Sequence, residues 1–373
     1  WETEFGLIDS NSEALNKHLV DIEKELNISY FPKGKIPKDS LKLKEGADNL
    51  GWDSQEVPRW IRYDSNNSGS GTRMSMSRTY LKQYLDYGGE IFQPVKAESL
   101  TKEKGMWSVK VSSLKGEDKF LSKNVVLAAG TINTPLLLKK TGIMKKAGKK
   151  FQMHPTIKVV ARFDEKINSS KMGVPVHQVK EFAPKYSFGC SISSKPYLRV
   201  AMLDHYDKIN LVENYWENMS IYYSMIIPEG MGSINNLPVF RDPLIRYSLT
   251  DQDKINLSEG LKNLCKLLFS AGAVELFPSI RGLGSLKNEN HIEKIPSYIN
   301  LKETSLMTVH LFSSCPIGER KDKCIANSYG NVFGQNGLHI SDASILPSAP
   351  GVNPQGTVMA FAKRNVERII SNL

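Results

Sequence analysis

No stretch of this chain approaches the ~20 consecutive apolar residues that a helical membrane span requires. Cysteine is scarce. Its four residues, Cys190, Cys265, Cys315 and Cys324, include no CxxC pair, so neither a zinc site nor a disulfide framework is expected. Internal repeats and low-complexity tracts are absent, which sets aside solenoids and biased tails. Basic charge is in excess, with 49 Lys and Arg against 39 Asp and Glu for a net +10, but it is scattered, with local clusters such as KKTGIMKKAGKK at 139–150. Without zinc-finger spacing or a basic stripe interleaved with aromatics, no nucleic-acid partner is expected. A solvated surface is the plain reading of this charge, and an acidic substrate or other anionic partner is the alternative.

A complete GxGxxG turn is also missing. Gly69-Ser70-Gly71, Gly230-Met231-Gly232 and Gly282-Leu283-Gly284 each supply GxG without the third glycine, and none clearly follows a buried strand. A dinucleotide-phosphate turn therefore lies outside this chain or is not used. The chain opens on Trp1, with no Met and no signal-like segment after it. Its natural beginning is expected to be missing, and cytoplasmic and periplasmic locations both stay open.

What is present reads as an ordinary globular protein, 40% apolar and 24% charged, with room for two domains in 373 residues. SEALNKHLVDIEKELNI spaces Leu15, Leu19, Ile22 and Leu26 as a helix does. A polar, turn-rich loop follows at 64–72, then a short helix in RTYLKQYLDYG ended by Gly88. From 90 to 130 the period changes to two, and EIFQPVKAESL, WSVKVSSL and DKFLSKNVVLAAG read as successive strands. The last ends in a continuous apolar run, as a strand buried on both faces does. TINTPLLLKKTGI then reads as a helix with Pro135 in its first turn and Gly142 at its end. Residues 155–250 look mainly β, with TIKVVARF, YLRVAML and SIYYSMIIP as candidate strands. The clearest helix follows, capped by Thr250 and Asp253 and carrying Leu257, Leu261, Leu264 and Leu268 as its apolar stripe.

Two constellations could carry chemistry. The first is the strand–Gly130–helix unit at 124–142, the kind of turn at which dinucleotides dock in doubly wound folds. The second is C-terminal. HLFSSCPIGE at 310–319 sets His310 before small residues, and LHISDASILP at 338–347 gives a strand and Asp342. In GVNPQ, Pro354 suits a first helical position, where its missing N–H costs nothing. The amides near Gln355 and Gly356 would then favour negative charge. Met359, Ala362, Val366 and Ile369 with Ile370 are expected on one face of that last helix.

In this order these segments resemble the glucose–methanol–choline (GMC) family of FAD-dependent oxidoreductases, from about residue 10 to the end. The carrying stretches are GTRMSMSRTYL at 71–81, NVVLAAGTINTPLLLKKTGI at 124–143, FQMHP at 151–155, IRYSLTDQDKINLSEGL at 245–261, HLFSSCPIG at 310–318 and ISDASILPSAPGVNPQGTVMAFA at 340–362. The resemblance implies an α/β, two-domain fold. A doubly wound FAD-binding domain, here without its N-terminal GxGxxG unit, would join an antiparallel sheet-and-helix substrate domain. The chain would pass between them, with 1–152 and 309–373 in the FAD-binding domain and 153–308 in the substrate domain. It implies oxidation of an alcohol or sugar CH–OH by hydride transfer to flavin N5. His310 would accept the hydroxyl proton, and Asn353 would orient the substrate oxygen. Ser99, Ala129, Gly130, Asp342, Ala343, Asn353, Pro354 and Gln355 would approach the FAD. No metal is implied, and an electron-acceptor protein or a quinone fits as partner.

The sequence departs from the family in Leu311-Phe312-Ser313-Ser314, where a small, glycine-containing run is usual, and Phe312 is expected to reshape the pocket. His154 matches a family position but reads as a loop or packing residue. His18, His177, His205, His291 and His339 read as structural, and Cys315 as a small buried residue. Trp216, Tyr222 and Tyr223 lie where a substrate pocket could be, or in the core. A catalytically degenerate fragment that serves binding or assembly is the alternative reading.

Overall fold

The computed structural model describes all residues except 65–69, 114–115, 238–239, 241 and 373, so most of the loop expected at 64–72 lies outside the described residues. The elements that position the site are, in order, α1 (Ser12–Glu25), α2 (Lys38–Leu50), β1 (Ser54–Glu56), β2 (Val125–Leu127) and α3 (Gly130–Lys140). Next come β3 (Thr156–Phe163), β4 (His177–Val179), β5 (Tyr186–Ser191), α4 (Lys195–Ala201) and β6 (Met219–Ile226). The chain closes with α5 (Asp251–Ser270), β7 (Ala273–Pro278), β8 (Leu306–Met307), β9 (Leu338–Ile340) and α6 (Gln355–Ile370).

A seven-stranded antiparallel sheet, β7-β3-β6-β5-β4-β1 with β8 also on β3, forms one half. Alternation along each strand gives it two faces. Ile157, Val159, Ala161 and Phe163 of β3 and Tyr222 and Ile226 of β6 pack under α2 and α5. The expected stripe of α5 is fully buried there, and its Thr250–Asp253 capping box is formed at both bonds. Burial of Leu257, Leu261, Leu264 and Leu268 together contributes on the order of 8 kcal/mol, at about 2 kcal/mol for each buried leucine. The opposite face is covered at one end by α4, through Leu198, Ala201 and Met202 on Val160, Ile221 and Phe277.

The other half is built on the parallel pair β2–β9, with α3 and α6 following its strands. A three-stranded antiparallel sheet, Val95–Glu103, Met106–Ser113 and Gly116–Ser122, lies beside it; the first two strands fall in EIFQPVKAESL and WSVKVSSL as expected, whereas DKFLSKNVVLAAG divides after Ser122 into the third strand and β2. The two kinds of sheet agree with the expected α/β fold class. α1 begins at Asn11, whose side chain accepts the Ala14 amide, and packs along α6 through Asp21 and Glu25 to Lys363.

Four local expectations are corrected. YLRVAML is not a strand: it lies in α4 and the 3₁₀ turn after it. Leu198, Ala201 and Met202 are buried at helical spacing, and Pro196 sits in the first turn, where no donor is missed. β2 is not buried on both faces, since Leu127 is buried while Val126 is 45% exposed. Pro135 lies inside α3, which starts five residues earlier at Gly130. The carbonyl it leaves without an N–H partner, that of Thr131, accepts the Ser314 hydroxyl at 2.6 Å. Finally, α6 buries Ala360, Phe361, Arg364 and Asn365, while Val366 and Ile370 face solvent. Arg364 goes inside because its guanidinium donates to the carbonyls of Ile8, Asp9 and Ser328.

Candidate active site

The C-terminal ends of β2 and β9 lie side by side, which brings Ala129 and Gly130 to Asp342 and Ala343. The Asp342 carboxylate joins them: it accepts the Gly130 amide at 2.9 Å, the Thr134 hydroxyl at 2.6 Å and the Ser344 amide at 2.8 Å. Gly130 has φ +82°, a conformation in which a side chain is strained, and no atom lies within 4 Å of where a Cβ would stand. Ser99 stands apart from this group, at an irregularity in the strand Val95–Glu103 opposite Lys110.

His310 is placed by a short antiparallel pair in which Leu311 and Phe312 oppose Met153 and Gln152. The same pairing brings up His154, whose Nδ1 lies 3.1 Å from Nδ1 of His310. On its other side, Nε2 of His154 is 2.8 Å from the Pro350 carbonyl. A carbonyl only accepts, so Nε2 of His154 carries its proton. In a neutral ring Nδ1 of His154 is then an acceptor, Nδ1 of His310 is the donor, and Nε2 of His310 is left as a free base. Both rings are pushed down to about 4, His310 by burial and His154 by burial first and then by the neighbouring imidazole. They are therefore neutral near pH 7, the condition this chain of hydrogen bonds requires.

His154 is thus more than a packing residue, contrary to expectation. Phe312 is also corrected. It is fully buried, with its ring 4.8 Å from that of His154, and so backs the histidine pair instead of reshaping a pocket. Its strand pairing with Gln152 turns the side chain into the core shared with Leu127, Leu138 and Phe361.

The loop that carries Asn353 is held by the FQMHP segment. Gln152 Oε1 accepts the Ala349 amide at 2.9 Å, and His154 holds Pro350. Pro354 is the N-cap of α6, one position before the first helical place expected for it, and its carbonyl accepts the Val358 amide at 2.8 Å. The amides of Gln355, Gly356 and Thr357 therefore fall outside the helix's own ladder, and Gln355 and Gly356 are exposed. The Asn353 side chain is exposed beside the seven-stranded sheet. There it meets the Tyr223 hydroxyl, which burial pushes up and Asn353 and Gln178 pull back.

Strand register explains that meeting. Gln178, Gly189, Tyr223 and Lys158 stand directly opposite one another across β4, β5, β6 and β3, and so share one face. Gly189 makes room for the aromatic ring, since a Cβ there would lie 2.3 Å from the Tyr223 oxygen. Of the three aromatics considered from sequence, Tyr223 alone is on this face beside Asn353. Tyr222 points the other way and donates to the Asp39 carbonyl at 2.9 Å, while Trp216 packs with the α4 cluster. Gln178, Lys158 and Lys180 were not foreseen. Their shared face depends on pairing between strands far apart in sequence, and only the alternation around Tyr223 hinted at it.

The remaining histidines have structural partners: His18 with Glu367, His177 with Ser40, His205 with the Pro278 carbonyl, His291 with the Lys287 amide and His339 with Asn331. Cys315 is fully buried, and burial pushes its thiol up. Among the described residues, no cluster of His, Cys, Asp or Glu is arranged to hold a metal ion, and no helix is long and apolar enough to cross a membrane.

Known proteins share the family and the fold. Residues 1–156 and 236–362 match the N- and C-terminal family profiles described as GMC oxidoreductase. The whole chain is 31% identical, over 386 aligned positions, to a GMC-type oxidoreductase of Sinorhizobium fredii, of which it covers 76%. It is 24% identical to a GMC-type oxidoreductase of Mycobacterium tuberculosis, of which it covers 61%. Over 86% of its length it is 26% identical to a long-chain-alcohol oxidase of Arabidopsis thaliana, spanning 48% of that protein. In fold it is similar to the crystal structure of pyridoxine 4-oxidase from Mesorbium loti, with a TM-score of 0.65 at 15% identity over 92% of this chain and 71% of that one.

Proposed function

The chain belongs to the GMC oxidoreductase family, and from that premise we propose that the protein oxidises the CH–OH group of a small-molecule alcohol with FAD as its cofactor. The observation that carries this reading is the oriented histidine pair, in which the contact from His154 leaves Nε2 of His310 unprotonated. In this reading residues 1–152 and 309–373 form the FAD-binding part and 153–308 the substrate-binding part.

The residues present suit the cofactor. Gly130 offers close approach, Ala129 and Gln355 are exposed, and the first amides of α6 are outside its ladder. Ala129, Gly130, Ala343, Pro354 and Gln355 would hold it, with Asp342 shaping the Gly130 turn through its hydrogen bond. Ser99 would contribute from the neighbouring sheet. When bound, FAD supplies the acceptor for the hydride that leaves the carbinol carbon.

The chain's own residues deal with the oxygen and its proton. His310 Nε2 takes the hydroxyl proton, a role worth ~10²–10⁴-fold when the base is well placed. Asn353 offers both a donor and an acceptor to the same oxygen without changing its charge. His154 keeps the proton of His310 on Nδ1, so the base is always presented on the other nitrogen. Positive potential at the start of α6 favours the electron-rich state that develops as the alcohol is oxidised.

The relatives named as long-chain-alcohol oxidases support the reaction class, and at 23–26% identity they leave the substrate to the residues of this chain. The test is to load the purified full-length protein with FAD and mix it with alcohols without oxygen. Loss of the oxidised-flavin absorbance on adding an alcohol supports the reading. Protein that takes up no flavin, or flavin that no alcohol reduces, contradicts it.

A further inference from the structure

The sheet face below Asn353 is basic. Lys158 stands directly opposite Tyr223 on that face. Lys180 follows Gln178 by two residues, so continued alternation beyond the end of β4 turns it the same way. Arg59 also acts on the Tyr223 hydroxyl, and its Nη2 donates to the Pro175 carbonyl at 2.6 Å.

None of the three is balanced by an ion pair among the described residues. The Lys180 ammonium and the Arg59 Nε are buried atoms without a hydrogen-bond partner. Lys158 and Lys180 are both pushed down by burial, with no carboxylate acting on either. Of the three cations, Glu56 lends its charge to Arg59 alone while its Oε1 accepts the Phe31 amide at 2.9 Å, and Glu181 Oε2 accepts the Asp53 amide at 2.9 Å, so neither acid serves the two lysines.

A buried ammonium without a counter-charge is costly, and proteins keep one where something negative comes to meet it. We propose that the alcohol accepted by this site carries an anionic group, a carboxylate or a phosphate, held by Lys158 and Lys180 on the sheet while its hydroxyl faces His310 and Asn353. The arrangement gives the substrate two anchors. The charge fixes one end over the Lys158–Tyr223–Gln178 row, and the histidine pair addresses the other. The proposal rests on the alcohol-oxidation reading for the placement of the hydroxyl, but the anion site itself does not depend on turnover.

The experiment is calorimetric titration of the flavin-loaded full-length protein with butyrate, inorganic phosphate and the uncharged isostere butyramide. It is repeated on Lys158→Met, Lys180→Met and the charge-retaining Lys180→Arg. Butyrate or phosphate is expected to bind at least about 10-fold more tightly than butyramide. Each methionine variant should lose about 10-fold or more of the anion's affinity, and the arginine variant should keep most of it. Which of the two anions binds distinguishes a carboxylate from a phosphate substrate.

Equal binding of all three probes, or anion binding unchanged in both methionine variants, would overturn the proposal. So would loss of flavin from the methionine variants with the anion preference intact, because the lysines would then serve the cofactor. Flavin that stays oxidised with every alcohol, in protein that still binds the anion through Lys158 and Lys180, would count against the oxidation reading and not against the anion site.

Discussion

His154 faces His310 through Nδ1 on both rings, at 3.1 Å, while its far nitrogen is 2.8 Å from the Pro350 carbonyl. Two imidazoles and one carbonyl thereby define where each proton sits. His154 also reaches the loop that carries Asn353, so one side chain sets the tautomer of one candidate catalytic residue and the position of the other.

Replacing His154 should therefore lower turnover without touching substrate. His154→Ala should reduce kcat by ~10- to 100-fold, as loss of an orienting partner commonly does. His154→Gln, which can donate to Pro350 and accept from His310, should recover part of the loss. A purely structural role would show instead as lowered thermal stability with kcat unchanged in the folded fraction, which parallel thermal melts and kinetics separate.

The pH profile carries the same signature. Both rings are pushed from 6.5 to about 4, so the folded protein binds fewer protons than the unfolded chain between these values. Stability from the neutral pair is present above pH 6.5 and is lost as pH falls through about 4. The acid limb of kcat/KM should likewise lie well below the ordinary histidine value, and a limb centred near 6.5 would contradict the buried, neutral pair.

Ser313 offers a stability test beside the site. It has φ +67°, rare for a residue with a side chain, and its hydroxyl is buried without a partner. Ser313→Gly relieves both and should stabilise the protein by about 1 kcal/mol, measured by urea unfolding. An equal or lower stability would show that the residue is not strained.

Much of the fold was legible from sequence because it rests on local signals. The Thr250–Asp253 cap, the leucine stripe of α5 and the β-rich run TIKVVARF of β3 each specify their element without help from distant residues. YLRVAML misled because its apolar residues also fit a strand, and only packing on Val160 and Phe277 selects the helix. In α6, burial of Arg364 depends on carbonyls some 350 residues away in sequence. The site divides the same way. His310, Asn353, Gly130, Asp342 and His154 stand in recognisable segments, but the contact of His154 with His310, like the face shared by Gln178 and the two lysines, comes only through strand register.

Arg364 ties the segment at Ile8 and Asp9 and the loop at Ser328 to α6. Its removal leaves the carbonyls of Ile8, Asp9 and Ser328 without their donor. Arg364→Met should cost about 2–4 kcal/mol, since each buried acceptor left unpaired costs on the order of 1 kcal/mol or more. Proteolysis near residues 8 and 9 should rise in parallel, because the guanidinium ties that segment to α6.

Rapid anaerobic mixing tests His310 as the proton acceptor most directly. FAD-loaded full-length protein and its His310→Ala variant, matched for bound flavin, are mixed with the same alcohol substrate, and reduction of the flavin is followed in a single turnover. The variant should keep its flavin and reduce it ~10²–10⁴-fold more slowly. Equal rates in the two proteins would remove His310 from the chemistry and contradict the account.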